Sequence, residues 1–366
     1  MKITEIETFT VNTPLKKAFK TALRTVTNAE SVIVKVTAGD QVGWGEAPPT
    51  LAITGESVES VKAAIMNAIA PKLIGLRVSS YGYIFEVLSA ALVGNTSAKA
   101  AVDTAIYDLI AKKCDMPLYQ FLGGYRNKLE TDYTVSVNSP EEMGDDAIQY
   151  INEGFSILKV KVGKDTIERD IERIKMVQNR TNNKAIIRLD ANQGWTAKEA
   201  IDAIKQMEDM GINLDLVEQP VHAHDIEGLK NVTDSVKTPV MADESVFSPR
   251  DALKVITLRA ADLINIKLMK AGGIHQALKI NAIAESAGIN CMVGSMIESK
   301  VGISAAAHFA ASQRNITRFD FDAPLMFKEE NVEGGITYQK SMITFNSHAG
   351  LGIHSVKQGG VEIGIN

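Results

Sequence analysis

Two rhythms of apolar and polar positions divide the chain. Lys2–Val11 and Ser31–Val36 alternate or are β-branched, and Asp40–Gly45 reads as a hairpin return, so the first stretch predicts antiparallel strands. Between them Pro14–Asn28, with Lys16, Lys17, Lys20 and Arg24, reads as a polar loop. Glu56–Ile69 and Ser97–Lys113 then carry apolar residues at helical spacing, with Ser97 as the expected N-cap. Together these predict an α+β unit over residues 1–125. After Gly124 the rhythm changes. Short apolar runs recur at intervals of roughly 25 residues, the period of βα units. The predicted strands are Thr131–Val137, Ser156–Val162, Ala185–Ala191, Leu214–Gln219, Pro239–Glu244, Asp262–Leu268, Ile289–Ser295 and Thr317–Asp322. Ser139-Pro140, Thr196 and Ser248-Pro249 mark helix starts between them. Eight such units predict an α/β fold, a (β/α)8 TIM-type barrel over residues 126–329. Residues 330–366, with a short strand pair at Ile336–Phe345, are expected to return to the N-terminal unit.

Composition narrows the function classes. Of 366 residues, 45% are hydrophobic and 23% charged, enough apolar material for a large core. A net charge of −5 gives no basic footprint for nucleic acid, and no apolar run is long enough to span a bilayer. The N-terminus opens on strand-like alternation rather than a signal peptide. Cys114 and Cys291 stand in apolar contexts and read as reduced core residues of a cytoplasmic protein. Trp44 reads as a packing residue, His222 and His224 as surface loop, and Lys270-Ala271-Gly272-Gly273 as a βα turn rather than a phosphate cradle.

Candidate chemistry lies where the predicted strands end, the face of a barrel that carries active sites. Lys159 and Lys161 are two residues apart, so in a strand they share a face, roughly 6–7 Å apart. Burial and mutual repulsion are expected to lower the pKa of at least one, making it a base near neutral pH. Asp190, Glu218 and Asp243 end three successive strands. Little but a cation brings three carboxylates together cheaply, and an all-oxygen set without His or Cys selects Mg²⁺, or Mn²⁺, over Zn²⁺. Strands two and six flank these, so Lys161 and Lys267 are expected to oppose each other across the site. A base on each face of a carbon, beside a cation that stabilises an enediolate, is the arrangement for 1,1-proton transfer α to a carboxylate.

Lys159-Val160-Lys161, Asp190-Ala191-Asn192, Glu218-Gln219-Pro220, Asp243-Glu244 and Lys267 resemble the muconate-lactonising subgroup of the enolase superfamily, over essentially the whole chain. The resemblance implies a modified, enolase-like barrel beneath an N-terminal capping domain, one Mg²⁺ per subunit, and Lys161 and Lys267 as bases for the (R) and (S) substrates. It makes Lys159 a partner of the substrate carboxylate, and Asn192 and Glu244 orienting residues. The subgroup includes cycloisomerases, o-succinylbenzoate synthases, N-acylamino acid racemases and dipeptide epimerases. Three features resemble the dipeptide epimerases, more narrowly those acting on L-Ala-D/L-Glu in peptidoglycan peptide metabolism. Asp320-Phe321-Asp322 would bind the substrate's α-ammonium, and Arg24 the Glu side chain. Ser295 and Ile297, joined by Thr134, would contact the dipeptide backbone. Other dipeptides, hydrophobic or cationic, and N-acylamino acids stay open as substrates. The expected partners are a small dipeptide and further copies of the chain, with neither nucleic acid nor membrane.

Overall fold

The structure, a computed structural model, describes residues 1–358 and 361–363. Of the tail expected to return to the N-terminal unit, residues 359–360 and 364–366 lie outside the described residues. Strands β1 (Ile3–Lys20), β2 (Thr25–Ala38) and β3 (Gln41–Ala47) form an antiparallel sheet in that order. The helix Thr96–Lys113 packs against β3, where Gly43 and Gly45 leave room for it: a Cβ at either position would collide with the Ala105 or Ala101 carbonyl. Trp44, between them, is fully buried.

Pro14–Asn28 is not the loop its polarity suggests. Pro14 pairs with Asn28 and, after a register shift, Phe19 with Val26 and Lys20 with Thr25. The turn shrinks to the residues between Lys20 and Thr25. Pairing prevails because the polar side chains alternate outward while Leu15, Phe19 and Val26 pack on Ile297 and Phe327. Two helix starts also differ from expectation. The first helix begins at Val58 behind a Ser57 capping box and continues through a π-helical Ala64–Ile69. Glu56 instead accepts the backbone N–H groups of Ser97 (3.0 Å) and Ala98 (3.1 Å). Asn95, not Ser97, holds the N-cap position of Thr96–Lys113. Cys291 is buried as expected, but Cys114, at the end of that helix, is exposed; both thiols are free.

Beyond a short β4 (Lys128–Glu130), all eight predicted barrel strands are present: β5 (Tyr133–Val135), β6 (Ile157–Lys161), β7 (Ile186–Asp190), β8 (Leu214–Glu218), β9 (Val240–Ala242), β10 (Leu263–Ile266), β11 (Asn290–Val293) and β12 (Ile316–Phe319). They form one sheet, parallel and in sequence order, with helices between. Its two ends meet through single bonds: Asp132 N–H to Phe319 O (3.5 Å) and Phe321 N–H to Thr131 Oγ1 (2.8 Å). The result is an N-terminal α+β cap on an enolase-type modified barrel. Alternation turns Leu216, Met241, Leu263 and Met292 inward, where they form a separate apolar cluster filling the barrel's lower interior. The residues two further along each of these strands reach the mouth.

After the barrel, Thr337–Gln339 and Met342–Thr344 pair with each other, and the second pairs with β4. Further on, Leu118 N–H donates to Gly350 O (2.8 Å) and Leu351 N–H to Asp108 Oδ1 (2.7 Å). The same Asp108 accepts Trp44 N–H (2.9 Å), so one buried carboxylate joins cap sheet, cap helix and tail. Among the described residues no helix is long and apolar enough to cross a membrane.

Candidate active site

The β6 strand delivers both of its lysines to the barrel mouth. Lys159 Nζ lies 2.8 Å from Glu218, 3.0 Å from Asp190 and 2.8 Å from Asp320. Lys161 Nζ donates to Asp190 at 2.6 Å. Across the mouth Lys267, just past β10, donates to Asp243 at 2.7 Å. Lys159 and all three carboxylates are almost wholly buried. Register explains the gathering: Lys161 pairs with Asp190 and Asp190 with Glu218, so lysine and acids stand at one level of neighbouring strands.

The expected depression of a lysine pKa does not occur at Lys159. Burial disfavours the Lys159 ammonium, yet Asp320, Glu218 and Asp190 outweigh it and hold its pKa well above the ordinary value. Lys267 is raised in the same way by Asp243. The acids diverge. Burial pushes Asp190 up, but Lys161 and Lys159 hold it down to about 2. Burial and then Asp190 push Glu218 up to about 8, and burial and then Asp243 push Glu244 up to about 7. At Lys159 three acids within 2.8–3.0 Å of the ammonium decide the shift.

The donor set suits a hard divalent cation. Glu244 Oε2 and Asn192 Oδ1 are buried oxygens with neither a hydrogen bond nor an ion pair among the described residues, an expensive condition unless a cation is meant to share them. Glu218 Oε2 and Asp243 Oδ1 meet only the ammoniums of Lys159 (2.8 Å) and Lys270 (2.7 Å). As they stand, lysine ammoniums sit between the carboxylates, and among the described residues no three acidic, histidine or cysteine side chains form a ready metal cage. The outer contacts are set: Asn265 Nδ2 donates to Glu218 Oε1 (2.7 Å), and Asn192 N–H to Asp190 Oδ1 (2.9 Å). Asn192 Nδ2 also donates to Glu244 Oε1 (3.3 Å). Asn192 does this from a positive φ of 42°, and Gln219, whose Oε1 accepts Asp243 N–H (2.8 Å), sits at 36°, backbone strain of the kind found at functional sites.

Above the mouth, the β1–β2 hairpin tip closes a cavity of about 60 Å³. Arg24, Thr134, Lys159, Lys161, Asn192, Glu244, Lys267, Ser295, Ile297, Asp320 and Asp322 all line it. Asp190, Glu218 and Asp243 lie directly behind the lysines rather than on its surface. Asp322 Oδ2 accepts Thr134 N–H (2.6 Å), and burial and then Asp320 push its pKa up to about 7. Arg24 is half-buried, its pKa lowered by that burial, and among the described residues it makes no ion pair. His222 and His224 are exposed, as expected.

Sequence reasoning missed Lys270. Its stretch is indeed a turn: Gly272 and Gly273 take φ of 86° and 114°. The Lys270 side chain, however, is fully buried, 2.7 Å from Asp243 Oδ1, and donates to the carbonyls of Asp243, Val246 (3.0 Å) and Asn265 (3.2 Å). Its position three residues past Lys267 on one helical turn was the available signal. Phe19 and Met326, which also line the cavity, carried no signal at all, since only the hairpin's folding over the barrel brings them there.

Known proteins share this architecture. Residues 3–123 match the mandelate racemase / muconate lactonizing enzyme N-terminal domain, and residues 142–358 the enolase C-terminal domain-like family. The L-Ala-D/L-Glu epimerase of Bacillus subtilis (strain 168) is 60% identical over 96% of this chain and 97% of its own. A substrate-liganded structure of the Bacillus subtilis L-Ala-D/L-Glu epimerase superposes with a TM-score of 0.96, covering 96% of this chain and 99% of that one. The L-Ala-D/L-Glu epimerase of Clostridium acetobutylicum is 50% identical over 94% of this chain and 97% of its own. A dipeptide epimerase from Enterococcus faecalis V583, complexed with Mg and L-Leu-L-Tyr, is 44% identical with a TM-score of 0.93, over 96% of this chain and 99% of that one. The chain belongs to the enolase superfamily, in its mandelate racemase/muconate lactonizing branch, and within that branch to the dipeptide epimerases.

Proposed function

We propose that this protein epimerises L-Ala-D/L-Glu at the α-carbon of the Glu residue by two-base proton transfer. One observation carries the reading: a single small cavity is lined by Lys161 and Lys267 on facing strands, by the carboxylates of Asp320 and Asp322, and by an arginine with no ion pair among the described residues. The dipeptide has a group for each. Arg24 meets the Glu side-chain carboxylate with a planar fork. Asp320 and Asp322 take the α-ammonium, whose charge would draw the Asp322 pKa back down. Lys159 faces the substrate α-carboxylate, and Ser295, Ile297 and Thr134 border the peptide backbone. N-acylamino acids lack the ammonium and would leave buried Asp322, which accepts Thr134 N–H here, without a cation; Asp320 already has Lys159.

Asp190, Glu218 and Asp243 would hold one Mg²⁺ per chain, with Asn192, Glu244 and Asn265 fixing their orientation. When bound, Mg²⁺ supplies positive charge to the substrate carboxylate as the α-proton leaves. With Asp243 charge shared with that ion, Lys267 would be held less firmly in its protonated form. For turnover one lysine starts neutral and the other as ammonium. The neutral lysine takes the α-proton from its face, and the opposite ammonium returns a proton to the other face. Lys161 serves the (R) and Lys267 the (S) substrate, and each turnover exchanges their protonation states.

The test is exchange in D₂O with Mg²⁺, followed by NMR on L-Ala-L-Glu and L-Ala-D-Glu. The expected result is loss of the Glu α-proton signal and growth of the other diastereomer, stopped by chelation and restored by Mg²⁺. No exchange from either diastereomer would overturn the reading.

A further inference from the structure

A second, larger chamber opens beside the reacting site. Its volume is about 440 Å³, against about 60 Å³ for the cavity holding the lysines. The two share Phe19, Thr134 and Met326 as walls, so they adjoin along that edge. The chamber lies between the β1 hairpin arm, the end of β5 and the helix Pro140–Glu153.

We propose that this chamber receives the side chain of the substrate's N-terminal residue, so that the enzyme also epimerises dipeptides whose first residue is bulky and apolar or aromatic. The proposal rests on the dipeptide reading above. Position comes first. Thr134 N–H is bonded to Asp322, one of the two carboxylates assigned to the α-ammonium. The N-terminal α-carbon is one bond from that ammonium, which sets it beside Thr134 and the shared wall. The nearest space for a side chain larger than methyl is then the chamber. Wall chemistry comes second. Tyr133 stacks on Tyr150 (centroids 4.0 Å apart) and meets Phe155 edge-on (4.9 Å), an aromatic surface suited to an apolar or aromatic group. Of the charged groups around it, Lys17 pairs with Asp146 at 2.5 Å, Lys16 donates to Leu325 O at 2.8 Å, and Glu153 and Lys340 are exposed to solvent. A further residue joined to the N-terminus is a poorer occupant, because the amide would remove the ammonium that Asp320 and Asp322 require.

The test compares L-Ala-L-Glu and L-Phe-L-Glu by α-proton exchange in D₂O with Mg²⁺, in wild type and two chamber-filling variants. Gln149→Trp adds bulk from the exposed side of the Pro140–Glu153 helix, where it disturbs no core packing. Ala18→Phe adds it from the opposite wall. Wild type should process L-Phe-L-Glu with kcat/KM within about tenfold of L-Ala-L-Glu. Each variant should cut kcat/KM for L-Phe-L-Glu by about 10- to 200-fold, the range for occluding a hydrophobic subsite, and leave L-Ala-L-Glu within about threefold. Turnover of L-Ala-L-Glu with L-Phe-L-Glu slower by more than about 100-fold in wild type would refute the chamber assignment alone. So would variants that slow both dipeptides equally. Exchange on neither dipeptide in wild type would overturn the dipeptide reading and the chamber with it.

Discussion

Two layers of the same barrel bury opposite charges, and they do so with different cations. Just below the mouth, Arg188 donates to Asp132 (2.8 Å), Asp215 (2.9 Å) and Phe319 O (3.2 Å), and Arg318 reaches Asp215 through two nitrogens. At the mouth the cations are lysines, and Glu244 Oε2 has neither hydrogen bond nor ion pair among the described residues. A guanidinium stays charged and its fork fixes geometry, so the lower layer is locked. An ammonium can give up its proton, and a carboxylate with an unsatisfied oxygen can accept another cation. The same Coulomb attraction therefore serves as scaffold in one layer and as chemistry in the next. Choice of residue separates them, since Arg188 and Asp132 are as buried as the lysines and acids at the mouth.

The largest effect expected is at the mouth. Lys267→Ala should lower epimerisation by about 10³-fold, while deuterium exchange persists on the diastereomer served by Lys161. Lys267→Arg should not restore it, since arginine keeps its proton. Equal residual exchange from both diastereomers would break the two-base assignment.

In the layer below, Arg188→Met should cost about 3–5 kcal/mol in urea unfolding, because Asp132 and Asp215 lose a buried partner. Mg²⁺ affinity of the folded protein should change little. A variant that unfolds normally but loses Mg²⁺ binding would mean that the two layers are not separate in function.

Arg24 sharpens the contrast as an arginine at the mouth without a partner among the described residues. Arg24→Gln should reduce kcat/KM for L-Ala-L-Glu by about 10- to 150-fold, one charged hydrogen-bonded contact of about 1.5–3 kcal/mol. L-Ala-L-Leu should be far less affected. An equal loss on both dipeptides would remove Arg24 from recognition of the Glu side chain.

The smallest effect concerns a buried group that stays neutral. His308 accepts Tyr119 N–H at 2.9 Å, and burial lowers its pKa to about 3 although contact with the Leu351 backbone opposes this. A folded pKa below the unfolded value of about 6.5 means the contribution is present above pH 6.5 and lost as pH falls toward 3. Between pH 7 and 5.5 the wild type should lose about 1 kcal/mol more than His308→Gln, measured by urea titration at each pH. Parallel curves would show that His308 titrates normally.

Much of this was legible in the chain because it is encoded locally. Each barrel strand announces itself by a short apolar run, and Lys159, Asp190, Glu218 and Asp243 stand at their ends. The hairpin was not legible, because the outward face of an extended strand is as polar as a loop. Lys270 was not, because a buried lysine and a solvated one look alike until the carbonyls around it are placed. The direction of the Lys159 pKa shift was misjudged for a related reason. Spacing along β6 reveals the neighbouring lysine, whereas the acids that outweigh it come from other strands.

The sequence by itself determined the barrel, the strand-end charges and the family, since alternation and βα period depend only on near neighbours along the chain. Tertiary structure alone decided that Arg24 and Phe19 close over the mouth. It also decided that Asp322 holds Thr134 and that an aromatic chamber opens beside them. The contacts of hairpin with barrel, and of Thr134 with Asp322, join residues more than a hundred positions apart. Their energies exist only once the hairpin has packed on the barrel and the first and last strands have met.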